Sequence, residues 1–171
     1  MLLGVTASAF GQGTINFANA GAGVNARLFG TDGITPLAGT SYIAQLWAGS
    51  SASSVSPIVP TATFGTGANA GYFFGGSRAI PTVGQGSPAY AQLRVWEGSV
   101  PSWAIAINTP GCLVGWSDVF QTPYLGGGAQ PPPNLIGLRT VPFHWIIVPE
   151  PSAILLGFLG VAGLLVLRRR R

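Results

Sequence analysis

Groups able to do acid–base or nucleophilic chemistry are few and scattered in this chain. Before Pro149 there are three carboxylates, Asp32, Glu97 and Asp118, with one histidine, His144, and one cysteine, Cys112. Hydrolysis of a glycosidic bond needs two carboxyl groups about 5–10 Å apart. Glu97 and Asp118 are the pair that would have to supply them, since Asp32 precedes Gly33 in a turn. His144 lies between Phe143 and Trp145, and one histidine with dispersed carboxylates does not make a metal-ligand set. A packed or interface histidine is expected. No serine sits in a nucleophile elbow, and Gly84-Gln85-Gly86-Ser87 lacks the flanking pattern of a phosphate-binding loop. The expectation is no enzyme, no cofactor and no metal site. Cys112 has no intramolecular disulfide partner. It either pairs with another chain or packs as a small apolar side chain, and its neighbours Leu113 and Val114 favour burial.

Binding is the softer chemistry on offer. Five tryptophans, Trp47, Trp96, Trp103, Trp116 and Trp145, are many for so short a chain. They either fill a core or present flat faces on which sugar rings stack, with Gln and Asn bonding hydroxyls. The segment Ala89 to Glu97 alternates most clearly. Ala89, Ala91, Leu93 and Val95 form one face, suited to a core. Tyr90, Gln92, Arg94 and Trp96 form the other, an amphipathic face expected to be exposed. Tyr90, Gln92 and Trp96 are therefore the candidate glycan contacts, and an extracellular polysaccharide is the alternative partner.

The other distinctive stretch runs from Pro149 to Arg171. Ala153 to Leu167 is a run of fifteen residues without a charged or strongly polar side chain. As a helix it rises about 22 Å, short of the roughly 30 Å hydrocarbon core. Ser152 and snorkelling arginine stems extend it enough to span. Ten of its residues are Leu, Ile, Val or Phe, together favouring insertion by about 3–6 kcal/mol, offset in part by Gly157, Gly160 and Gly163. Arg168, Arg169, Arg170 and Arg171 follow directly. Moving four such charges against 100 mV would cost about 9 kcal/mol, so they anchor the end on the cytoplasmic side and place the preceding body across the membrane.

Val148-Pro149-Glu150-Pro151, a short apolar helix and an arginine cluster, in that order, resemble the PEP-CTERM sorting signal. The resemblance covers about 24 of the 171 residues. It implies a partner, an exosortase, which is a membrane cysteine protease or transpeptidase that cuts near the Pro-Glu-Pro motif. The residues agree with that: two prolines disfavour helix just before the membrane and leave an extended, accessible segment. The sorting motif is then Val148, Pro149, Glu150 and Pro151. The resemblance implies a membrane location before processing, and a cell-surface or extracellular-matrix location after it. It is silent on the role of the body.

Charge supports this partition. Charged residues make up 7% of the chain, against a usual ~25%. The net charge of +4 is that of the four terminal arginines, because Arg27, Arg78, Arg94 and Arg139 balance Asp32, Glu97, Asp118 and Glu150. A basic surface for nucleic acid is therefore not expected on the body. Met1 to Gly11 is apolar and ends in small residues, as the remnant of a secretory signal peptide would, but it lacks a positive start. The domains expected are residues 1–11 as that remnant, 12–148 as an exported β-rich body, and 149–171 as the sorting signal, with the motif at 149–151, a transmembrane helix at 152–167 and the arginine cluster at 168–171.

Within the body, Thr14–Asn19, Val24–Phe29, Ser41–Ala48, Thr61–Phe64, Gly71–Phe74, Ala89–Glu97, Trp103–Ile107, Cys112–Phe120 and Phe143–Val148 read as strands between Gly, Pro and Ser turns. Pro81 makes Arg78–Val83 an edge strand or a loop. No helix is expected between Gln12 and Val148. The fold class expected is all-β, a sandwich or jelly roll, plus one C-terminal transmembrane helix. Ala44-Gln45-Leu46-Trp47 is echoed in Ala91-Gln92-Leu93-Arg94-Val95-Trp96; a single echo does not make a repeat protein.

Overall fold

The computed structural model describes residues 11–150 and Gly157. The body is all-β, and its strands are antiparallel. The eleven strands are β1 (Gln12–Ala18), β2 (Ala20–Gly21), β3 (Val24–Asn25), β4 (Tyr42–Gly49), β5 (Ser56–Pro57), β6 (Ala62–Thr63), β7 (Phe74–Gly84), β8 (Pro88–Glu97), β9 (Leu113–Ser117), β10 (Phe120–Tyr124) and β11 (Phe143–Ile147). The large sheet has seven strands in the order β11-β9-β8-β4-β5, with β10 also on β8 and β6 also on β4. β1 and β7 form a separate two-stranded ribbon, and β2 and β3 a short hairpin.

The period-2 pattern of β4 and β8 explains the core. Leu46 lies opposite Leu93, Ala44 opposite Val95 and Ala48 opposite Ala91. All six are buried, and they join Ile15 and Phe17 of β1 and Ile80 and Val83 of β7 in one apolar cluster. The ribbon thus covers the inner face of the sheet. The sequence echo is resolved by this register: the two similar segments are neighbouring antiparallel strands, with Gln45 opposite Arg94 and Trp47 opposite Gln92.

Two local features follow from single residues. Pro81 interrupts β7 without ending it. The partner of Gln12 is Gly84 while that of Gly13 is Ile80, so Pro81 falls inside a register shift where no ladder donor is required. The segment read as an edge strand or loop, Arg78–Val83, is therefore part of an eleven-residue edge strand, one of the two strands of the ribbon. On β9, a Cβ at Gly115 would stand 2.5 Å from Trp145 and 2.6 Å from Phe143. Glycine here lets both rings of β11 lie across the sheet, their centroids 5.0 Å apart in an edge-on contact.

Several expectations are corrected. Trp103–Ile107 is not a strand: Trp103–Ala106 is a single helical turn, α1. Ser102 caps it, its hydroxyl accepting from the Ile105 N–H at 3.4 Å. Short 3-10 turns at Gly39–Ser41, Gly67–Asn69 and Ile136–Arg139 further depart from the helix-free reading of the body. The strand expected over Val24–Phe29 is limited to Val24–Asn25. Among the described residues no helix is long and apolar enough to cross a membrane. The helix expected at 152–167 apart from Gly157, the arginines at 168–171, and residues 1–10 of the signal remnant expected at 1–11 lie outside the described residues.

Candidate functional site

Two regions carry the sequence's candidate residues: the exit of the chain from the body, and the outer face of the large sheet. At the exit, β11 pairs along its length with β9, from Phe143 opposite Ser117 to Ile147 opposite Leu113. Val148 continues this pairing. Its N–H donates to the Cys112 carbonyl at 3.0 Å, and its own carbonyl accepts from Gly111 N–H at 2.9 Å. The Val148 side chain is 8% exposed and packs in a second apolar cluster with Trp96, Val100, Trp103, Ala106, Cys112 and Val114. Pro149 and Glu150, the next two residues, are exposed. The last buried, backbone-paired residue of the sheet edge therefore directly precedes the exposed Pro149 and Glu150 of the Pro-Glu-Pro motif. Pro151 lies outside the described residues.

Cys112 is buried and unpaired, as its apolar neighbours suggested, and burial pushes its thiol up from the ordinary value. His144 is not packed in the core. It is exposed on β11, its Nε2 2.9 Å from Asp118 Oδ1, and its ring is 6.1 Å from that of Trp116. Asp118 is thus engaged by His144, and no group of three or more potential metal ligands is found among the described residues.

On the outer face, alternation brings Gln45 and Trp47 of β4, Tyr90, Gln92, Arg94 and Trp96 of β8, and Trp116 of β9 to one side of the sheet. Of the three candidate glycan contacts, Tyr90 and Gln92 are half-buried and Trp96 is 1% exposed. The expectation that Trp96 is exposed is corrected. The turn after β8 and helix α1 fold back over it, so that its Nε1 donates to the Val100 carbonyl at 2.8 Å and its ring meets Trp103 edge-on at 6.3 Å. Trp103 meets Trp116 in the same manner, also at 6.3 Å.

Arg94 sits at the centre of this face. Its guanidinium carbon stands 3.6 Å from the ring centroid of Trp47 and 5.0 Å from that of Trp103. Its Nε donates to Gln92 Oε1 at 2.9 Å. Gln92 is held in turn by the Ser117 carbonyl, which accepts from Nε2 at 2.9 Å. Burial draws the guanidinium below its ordinary value, and attraction to the indole faces offsets that cost by about 0.5–2 kcal/mol per ring. Gln92, Arg94, Trp103, Ile107 and Trp116 line a groove of about 220 Å³. Sequence alternation found Gln92 and Arg94. Trp116 joined them through the pairing of β9 with β8, where it lies opposite Arg94, and Trp103 because α1 is a helix, for which Ser102 as N-cap was the available signal.

No curated protein and no solved structure matches the chain. One family model does match, that of the PEP-CTERM protein-sorting motif, over residues 148–171, beginning at the residue where the folded body lets go of the chain. The chain carries a C-terminal PEP-CTERM protein-sorting motif, which implies processing by an exosortase.

Proposed function

We propose that this is an exported cell-surface or extracellular-matrix protein, whose β-rich body, a lopsided sandwich of sheet and ribbon, is held by a C-terminal membrane helix until an exosortase releases or transfers it. The observation that carries the reading is the junction at Val148: a buried, backbone-paired residue followed at once by exposed Pro149 and Glu150. An enzyme that cuts near this motif meets accessible chain there, while the body upstream stays closed. The helix at 152–167, the cytoplasmic arginines 168–171 and the signal function of residues 1–11 belong to the same proposal. The body has no catalytic role in it.

The test is expression of the full chain in an exosortase-bearing host and in the same host lacking that enzyme. The expected result is a form shortened at the sorting motif in the first host and an unshortened, membrane-bound form in the second. Replacing Pro149 and Glu150 by alanine should abolish the shortening. Identical forms in both hosts would defeat the proposal.

A further inference from the structure

The groove beside Arg94 has the features of a binding site for a negatively charged ring. We infer that it binds a uronic-acid residue of an acidic polysaccharide, with the Arg94 fork on the carboxylate and the half-buried Trp116 against the apolar face of the sugar. The inference rests on the export proposed above only for where such a polymer would be met; the binding itself is independent of sorting.

Arg94 has no carboxylate partner, because the ion pair found among the described residues joins His144 and Asp118. Of its donors, Nε alone is bonded, to Gln92. No buried side-chain nitrogen or oxygen among the described residues lacks a partner. The terminal nitrogens of Arg94, which donate to no acceptor among the described residues, are therefore reached by solvent along the groove that Arg94 lines. A guanidinium presents two parallel N–H groups that match the two oxygens of a carboxylate, and such charge-assisted pairs are about twice as strong as neutral ones. The fork is already fixed. Trp47 backs it at 3.6 Å, and Gln92 ties it to the Ser117 carbonyl, so little side-chain freedom is lost on binding.

The surroundings select among anions. Nucleic acid is bound through many basic contacts, and Arg94 is the one arginine of this groove. The volume, about 220 Å³, is below the roughly 300–1,000 Å³ of pockets that enclose a drug-sized molecule. It suits one ring of a longer polymer. An acidic peptide offers the same carboxylate but no rigid apolar face for Trp116, so the saccharide is favoured.

The experiment titrates the full chain in detergent with oligomannuronate, following tryptophan fluorescence and heat. Two controls are the same oligomer after reduction of its carboxyl groups to neutral sugar, and polyglutamate. The expected result is binding of the uronate, weakened about tenfold or more by carboxyl reduction, as loss of one bidentate charged pair requires. Arg94→Met should remove that difference, and Trp116→Ala should weaken both saccharides. If Arg94→Met fails to fold, the comparison of native and reduced oligomers on the unaltered protein still decides. No binding of the uronate, equal binding of the reduced oligomer, or equal binding of polyglutamate would overturn the inference.

Discussion

Asn19 is the residue whose replacement should cost the body most for the fewest atoms removed. It is 0% exposed and follows β1 directly. Its Nδ2 donates to the Ala26 carbonyl at 2.7 Å and to the Gly71 carbonyl at 2.9 Å, while its Oδ1 accepts from the Phe73 N–H at 2.7 Å. One amide thus ties the end of the ribbon to two separate loops. In Asn19→Ala the Phe73 N–H is left buried without an acceptor, at about 1–3 kcal/mol. The Ala26 carbonyl loses a donor, at about 1 kcal/mol. The Gly71 carbonyl keeps the Leu28 N–H at 3.0 Å and loses less. With the cavity, the expected total is about 3–5 kcal/mol, a large part of the ~5–15 kcal/mol typical of a domain. Asn19→Asp sharpens the argument. Its carboxylate would face the Ala26 and Gly71 carbonyls, so burial and repulsion raise its folded pKa above the unfolded ~3.9. The folded state then holds the proton more tightly. The variant is closest to the parent protein below about pH 4, and it loses stability as pH rises until the folded carboxyl ionises. Urea unfolding of the full chain in detergent at several pH values measures both effects. A loss below about 1 kcal/mol for Asn19→Ala, or an aspartate variant that gains stability as pH rises above 4, would refute the reasoning.

Further outcomes follow from the same structure. Gly115→Ala should lower stability by about 1–3 kcal/mol, because the added methyl must displace Trp145 and Phe143; thermal unfolding followed by tryptophan fluorescence checks it, and an unchanged midpoint would count against the packing of these rings. Asp32 is held below the ordinary carboxylate value by hydrogen bonds, from the Thr35 side chain first and then from the Ile34 and Thr35 N–H groups. With its folded pKa depressed, it contributes stability that is present above the unfolded pKa near 3.9 and is lost as pH falls through the folded value. NMR titration of its carboxyl carbon should give a midpoint under 3.9, and Asp32→Asn should remove this contribution to acid sensitivity.

Alternating strands were legible because burial on one face imposes period 2. β4 and β8 follow their sequence patterns residue by residue on the inner face, from Ala44 to Ala48 and from Ala89 to Val95. The outer face was not legible, since what covers it comes from elsewhere in the chain. Trp96 shares its parity with half-buried Gln92 and Arg94, yet α1 and Val148 close over it. Trp103 to Ile107 alternates large and small side chains as a strand does, and only the Ser102 cap opposes that reading. Asn19 looked like the last polar position of an alternating strand. Its three long-range bonds depend on loops that no local pattern places.

The junction at Val148 also limits where a processing enzyme can cut. Opening Val148 breaks two backbone hydrogen bonds, at about 0.5–1.5 kcal/mol each, and exposes a valine side chain, at about 1.5–2 kcal/mol. The sum, about 2.5–5 kcal/mol, leaves no more than about 1–2% of molecules frayed at this residue. Beyond it, the apolar run begins at Ala153, so Pro149 to Ser152 span at most about 14 Å even when fully extended. The headgroup layer alone takes about 5–8 Å of that on one side of the bilayer. With the apolar run in the membrane as proposed above, an enzyme seated there works in a gap of a few residues, bounded on one side by a closed sheet edge and on the other by lipid. Cleavage within the gap leaves the sheet edge closed, whereas cleavage upstream of Val148 must wait for the rare frayed state. The processed protein should accordingly keep Val148, together with all of β11, and intact-mass measurement of the released form reads this directly. A mature end at Ile147 or earlier would mean that the enzyme unfolds the edge of the sheet, and the argument from the Gly111 and Cys112 bonds would fail.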